Sequence, residues 1–336
     1  MTSGKILAGG LAALTLLVVP PMARAADHIK IGTLKATNVG PVYIAIDKGY
    51  FAEEGLDPEL VSFESAQPIA VANAAGSIDF GATSTSAGLY SLAAQGTIKI
   101  IGGMYSEAPG FHNFALAASG KAYEGGLKSY KDLPSHSVAV TQVGSPVHYS
   151  LALIVEKYKL DLASIKVLPL QSIPNMASAL IGNTADSSVI NSTSINPLLQ
   201  AGQAKLIGWI GDETPWQTAL TFTQPKTIAD RKKIVEAFLR AFKKGARYYH
   251  DAYTGAGEKP VDGATEPEVT GILAKYTGLS AQQVKNSIAY VDPEARVDMK
   301  DVVHQVEWFK SQKMLKDDAN GDAMMDKSLI VQIPAR

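Results

Sequence analysis

The strongest constraint on this chain is a device that it uses twice. Ala74-Ala75-Gly76-Ser77-Ile78-Asp79-Phe80 and Leu180-Ile181-Gly182-Asn183-Thr184-Ala185-Asp186-Ser187 each run from helix-forming residues through a glycine and a turn to an aspartate at a strand entry. Strand and helix patterns alternate around each copy. In the first half, strands are expected at 29–34, 58–63, 78–82 and 98–103, with helices at 42–48 and 68–75. In the second half, strands at 138–141, 165–170 and 186–190 surround helices at 147–159 and 174–182. Alternation of this kind gives an α/β fold with a largely parallel sheet. Local signals agree with it. Pro41 and Pro146 stand at first helical positions, Ser145 at a cap, and Gly49 where a left-handed C-terminal residue is wanted.

The extended apolar stretches 113–118 and 218–223 flank the second unit. It therefore reads as an insertion into the first, with these two segments crossing between lobes as the hinge. The expected division is 26–115 with 220–336 as lobe 1 and 116–219 as lobe 2. Beyond Lys226 helices dominate. The stretch 229–250 has an apolar stripe through Ile234, Phe238, Phe242 and Tyr249 and exposes Arg231, Lys232, Lys243 and Lys244.

Residues 1–25 read as something other than fold. Lys5 precedes fourteen apolar or small residues (6–19), then Pro20-Pro21 and an Ala23-Arg24-Ala25 cleavage site. This is the pattern of a cleavable secretory signal and is too short to span a bilayer. Removing Lys5 and Arg24 leaves 29 basic residues against an unchanged 32 acidic ones, a net charge of −3. The expected address is a bacterial periplasm. The chain has no cysteine, which excludes a lipid-modified anchor, thiolate catalysis and thiolate metal sites. Near-neutral charge argues against a nucleic-acid partner.

Several passages resemble the solute-binding proteins of ABC importers, in the nitrate/sulfonate/taurine/thiamine-precursor (SsuA/THI5-like) family. They are Pro41-Val42-Tyr43-Ile44-Ala45-Ile46-Asp47-Lys48-Gly49-Tyr50-Phe51-Ala52-Glu53-Glu54-Gly55-Leu56, Gly76-Ser77-Ile78-Asp79-Phe80-Gly81, its second-half echo at 179–186, and Val291-Asp292-Pro293-Glu294-Ala295-Arg296-Val297-Asp298. The echo is one residue longer than the family's usual form. The resemblance implies a two-lobed periplasmic-binding-protein-like fold (type II), with two three-layer α/β lobes joined by two crossing hinge segments. It implies capture of a small solute by hinge closure and delivery to an inner-membrane ABC permease, by a monomer without a cofactor.

The residues point to the same cleft independently. In open α/β sheets, ligands lie beyond the carboxyl ends of strands, where helix N-termini present backbone N–H groups. Four polar loops qualify: 35–40, 82–86, 142–145 and 191–194. From them and the adjoining aromatic positions, the candidate ligand-binding residues are Asn38, Thr83, Ser84, Ser86, Tyr105, Ser145, His148, Asn191, Thr193 and Trp216. The same hydroxyls and amides would equally serve as helix caps. Every arginine after the signal lies at or beyond Arg231, which argues against a guanidinium clamp on an anion. The expected solute is a planar or aromatic organic molecule, anionic or not, in preference to a simple aliphatic sulfonate. A secreted hydrolase or lyase on the same two-lobed fold is the alternative. Gly144-Ser145-Pro146 lacks the flanking glycine of a nucleophile elbow, and the six histidines show no zinc-binding spacing.

Overall fold

A computed structural model of the chain describes Met1 and residues 25–333; the expected signal segment therefore falls almost wholly outside the described residues. Twelve strands are present: β1 Asp27–Leu34, β2 Leu56–Phe63, β3 Phe80–Ser84, β4 Lys99–Gly103, β5 Ser106–Glu107, β6 Phe114–Ser119, β7 Ser137–Val140, β8 Lys166–Pro169, β9 Ser187–Asn191, β10 Ala204–Trp209, β11 Trp216–Gln217 and β12 Ala219–Thr223. They form two five-stranded sheets, ordered β2-β1-β3-β12-β4 and β8-β7-β9-β6-β10, and a two-stranded pair, β5 with β11. The orders are the same once each half is numbered from its own start: second, first, third, crossing strand, fourth. The first three strands of each half run parallel, whereas β12 and β6, the strands contributed across the halves, run antiparallel to their neighbours. Each sheet is mixed rather than largely parallel, because a chain that leaves one lobe and returns must cross its sheet in the opposite sense.

The repeated aspartates have one structural task. Asp79 Oδ2 accepts the Lys30 backbone N–H at 2.8 Å, and Asp186 Oδ2 accepts that of Ser137 at 2.8 Å, both across 49 residues. Each carboxylate thus ties the third strand of its half to the first. Asp79 also pairs with Arg231, and Asp186 accepts the Ser137 hydroxyl at 2.8 Å.

The expected hinge segments belong to the sheets themselves. Phe114–Ser119 is β6 of the second sheet and Ala219–Thr223 is β12 of the first, while the short β5–β11 pair lies beside both. The first sheet is backed by the helix Lys232–Tyr253, whose Phe238 stacks on Phe80 with ring centroids 4.0 Å apart. The expected 229–250 helix is in fact two, Pro225–Asp230 and Lys232–Tyr253, broken where Arg231 leaves helical geometry (φ −130°, ψ 38°) to reach Asp79. No helix among the described residues is long and apolar enough to cross a membrane.

Candidate functional site

Of the expected site residues, Trp216 lies on β11, Tyr105 directly precedes β5, and Ser84 is bonded to Tyr105. Thr83 and Ser84, expected on a loop, are strand residues: β3 runs on to Ser84 because β12 pairs with it through Leu220 and Ala219. Ser84 shares a 2.6 Å hydrogen bond with the Tyr105 hydroxyl, and both are buried. Ser86 and Ser145 act as helix caps, accepting the backbone N–H groups of Leu89 (3.2 Å) and His148 (3.3 Å). The His148 Nδ1 accepts the Gly144 N–H at 3.1 Å, and burial pushes its imidazole down to about 4. A ring held neutral in this way is an acceptor at Nδ1 across physiological pH.

Four of the ten residues carry a buried polar atom that has no hydrogen-bond partner in the protein: Asn38 Oδ1, Thr83 Oγ1, Asn191 Oδ1 and Trp216 Nε1. An unmade hydrogen bond on a buried group costs about 1–3 kcal/mol; Thr33, Asn73, Thr221, Thr254 and Thr265 carry such an atom as well. Two of the four, Asn38 and Asn191, are linked through neighbours. Asn38 Nδ2 donates to Asn113 Oδ1 at 3.4 Å, and the Asn113 carbonyl accepts the Ser192 N–H at 2.8 Å, beside Asn191. Asn191 Nδ2 in turn donates to Thr193 Oγ1 at 2.6 Å. Trp216 pairs with Glu107 across β5–β11 and meets Tyr149 edge-on, centroids 5.0 Å apart.

Two carboxylates beside the β5–β11 pair escaped the sequence reading. Glu107 is 1% exposed; its Oε1 accepts Asn113 Nδ2 at 2.5 Å and its Oε2 the Phe114 N–H at 3.4 Å. Burial pushes its carboxyl up to about 8. Asp301, on the helix Met299–Ser311, accepts the Gln217 N–H at 2.9 Å and Gln305 Nε2 at 2.7 Å, and burial pushes it up to about 7. The only sequence signal for Glu107 was an acid within an otherwise apolar stretch. For Asp301 there was none, because it is brought to the β5–β11 pair from 84 residues away.

The lobes touch along two rims. On one, the Ala87 N–H donates to the Gly144 carbonyl at 2.9 Å, the Tyr149 hydroxyl and His304 Nδ1 lie 2.7 Å apart, and His148 meets Trp308 edge-on. On the other, Asn196 Nδ2 donates to the Asn286 carbonyl at 2.9 Å. Beside this second rim opens a cavity of about 520 Å³, walled by Asn196, Asn286, Lys285 and Asp262 and by His112 stacked on Trp209 at 4.4 Å. None of the ten expected residues lines it, although His112 adjoins Asn113. The four unpartnered atoms named above lie on other residues than those that wall this cavity. The four described arginines engage carboxylates elsewhere: Arg231 with Asp79, Arg240 with Glu54, Arg247 with Glu294 and Arg296 with Asp292. Lys35 is exposed at the end of β1.

A family model described as NMT1/THI5 like matches residues 36–253. No curated protein matches the sequence. Among solved structures, the periplasmic aliphatic sulphonate binding protein SsuA from Escherichia coli is 16% identical, with a TM-score of 0.70 over 92% of this chain and 94% of that one. The alkanesulfonate-binding protein SsuA from Xanthomonas axonopodis pv. citri, bound to MOPS, is 18% identical, with a TM-score of 0.71 over 90% and 99%. The desulfurization enzyme DSZB is 12% identical, with a TM-score of 0.62 over 89% and 96%. At these identities the likeness establishes a shared fold, that of the periplasmic binding proteins.

Proposed function

The chain belongs to the NMT1/THI5-like family, and from that premise we propose that it is the periplasmic solute-binding component of an ABC importer. Lobe 1 (26–115 with 220–336) and lobe 2 (116–219) close on a small organic solute and release it to a membrane permease. Asn38, Thr83, Ser84, Ser86 and Tyr105 act from one lobe and the hinge. Ser145, His148, Asn191, Thr193 and Trp216 act from the other lobe and its border. The observation that carries this reading is the set of four buried, unpartnered polar atoms at the lobe junction. A solute that paired with them would be bound only when the lobes are together, so it would shift the population to the closed state. The absence of an arginine from this cluster favours a planar organic solute over a sulfonate held by a guanidinium clamp.

The enzyme reading has less support. A hydrolase nucleophile needs a bond to its base, yet Ser145 Oγ caps a helix and the His148 ring nitrogen takes the Gly144 N–H. A thermal-shift screen of the full chain tests the proposal. Ligand at about 100 Kd should add about 2.7 kcal/mol of stability. Turnover of a substrate by the purified protein, with no stoichiometric binding, would favour the enzyme instead.

A further inference from the structure

The orientation of an asparagine amide in a protein is set by what its neighbours must donate or accept. Here three side chains are joined in series. Glu107 Oε2 takes the Phe114 N–H and the carboxyl also takes a backbone bond from Gly211, so Oε1 is the atom that meets a side chain, Asn113. When the carboxylate is ionised, Oε1 can only accept, and Asn113 must turn Nδ2 toward it, as observed. Asn113 then shows Oδ1 to Asn38, Asn38 answers with Nδ2, and its own Oδ1 is left buried and unpaired at the lobe junction. When Glu107 is neutral, its O–H donates to Asn113 Oδ1. Both amides then turn over, and Asn38 shows NH₂ instead. Asn191 is not fixed in this way, because its partner Thr193 is a hydroxyl that can either accept or donate.

We propose that the Glu107–Asn113–Asn38 chain sets the specificity of the solute site: ionised Glu107 makes Asn38 an acceptor for a solute that donates, and neutral Glu107 makes it a donor. This rests on the solute-binding reading and goes beyond it by naming the hydrogen-bonding class of the solute. An ionised chain, which prevails above about pH 8, selects an N–H or O–H donor such as an amide, imide or amino-heterocycle; the neutral chain, which prevails below it, turns the Asn38 NH₂ outward and selects groups that only accept, such as sulfonates, nitrate and carboxylates. The groups that act on Glu107 electrostatically are Asp212 on the helix Ile210–Glu213, Tyr105 on its own segment and Tyr130; His112 lies 3.9 Å from Asp212, and Asp301 bonds Gln217 on the neighbouring strand. No cation holds the charge on Glu107 among these groups, and burial places its titration near 8.

Two measurements on the full chain test this. The first needs no ligand: the side-chain amide resonances of Asn113 and Asn38 are followed by NMR from about pH 6.5 to 9 in wild type and Glu107→Gln. Glutamine must give its carbonyl to the Phe114 N–H, so its NH₂ faces Asn113 and locks the neutral-state arrangement. The resonances should titrate together in wild type and stay fixed in the variant. The second pairs aromatic primary amides with the matching carboxylates, none of which titrates over this range. The amide-to-carboxylate affinity ratio should rise about tenfold with pH in wild type and remain low and flat in Glu107→Gln. Asn38→Ala, at a part-buried position outside the core, should flatten it as well. A titration or ratio that Glu107→Gln leaves unchanged overturns the relay while solute binding stands. Titrating amides in a protein that no solute stabilises would uphold the relay and sink the solute-binding reading.

Discussion

Glu107 and Asp301 store pH sensitivity beside the β5–β11 pair. Both are carboxyls raised in the folded state by burial, to about 8 and about 7, against about 4.3 and 3.9 in an unfolded chain. A raised group contributes stability that is present below the unfolded value and lost as pH climbs through the folded one. The melting temperature should therefore fall between about pH 4.5 and 8, and Glu107→Gln and Asp301→Asn should each flatten part of that decline. A wild-type melting curve that is level across this range would contradict the burial argument. Residues of this kind were illegible in the sequence. An isolated acid reads as solvated surface until the fold removes its water, whereas Asp79 and Asp186 announced themselves by recurring in the same local frame.

The elements were far easier to read, because caps and turn residues act within a few positions. Gly49 takes its left-handed conformation at φ 74°, and Ser145 caps the helix Pro146–Lys157 as expected. Ser145→Ala should cost about 1 kcal/mol, a drop of about 2 °C in Tm, and, with Ser145 among the proposed contacts, should lower solute affinity; an unchanged affinity would leave capping as its whole role. Packing between elements followed rules that no local pattern encodes. The helices Gly40–Asp47 and Lys232–Tyr253 approach so closely that a Cβ on Gly245 would lie 2.1 Å from the Pro41 carbonyl oxygen. Gly245→Val should force them apart at about 3 kcal/mol, readable as a lowered urea midpoint. Strand β3 outran its expected end for a related reason: hydrogen bonds from a strand more than 130 residues later keep Thr83 and Ser84 extended.

At the scale of the molecule, the proposed closure rests on a few contacts between the rims. His304 lies 2.7 Å from the Tyr149 hydroxyl and 3.2 Å from a Glu156 carboxylate oxygen, both on the facing lobe. His304→Ala should weaken apparent solute affinity several-fold by favouring the open form, since only the competent fraction binds. Small-angle scattering would show a larger ligand-free radius of gyration that contracts on saturation. An unchanged radius with unchanged affinity would mean that this rim plays no part in closure.

The sequence by itself determined the α/β class, the repeated unit, its strand entries and caps, and which polar residues stand at strand ends. These follow from periodicity and from bonds made within a few residues, so they survive without tertiary context. Only the tertiary structure decided that the crossing segments complete the two sheets, that Asn38, Asn113 and Glu107 form one hydrogen-bonded series, and that a cavity opens beside Asn196 and Asn286. Most of those arrangements join residues tens of positions apart or more, and their energies come from burial and from competition for hydrogen-bond partners. Neither exists until the chain has folded.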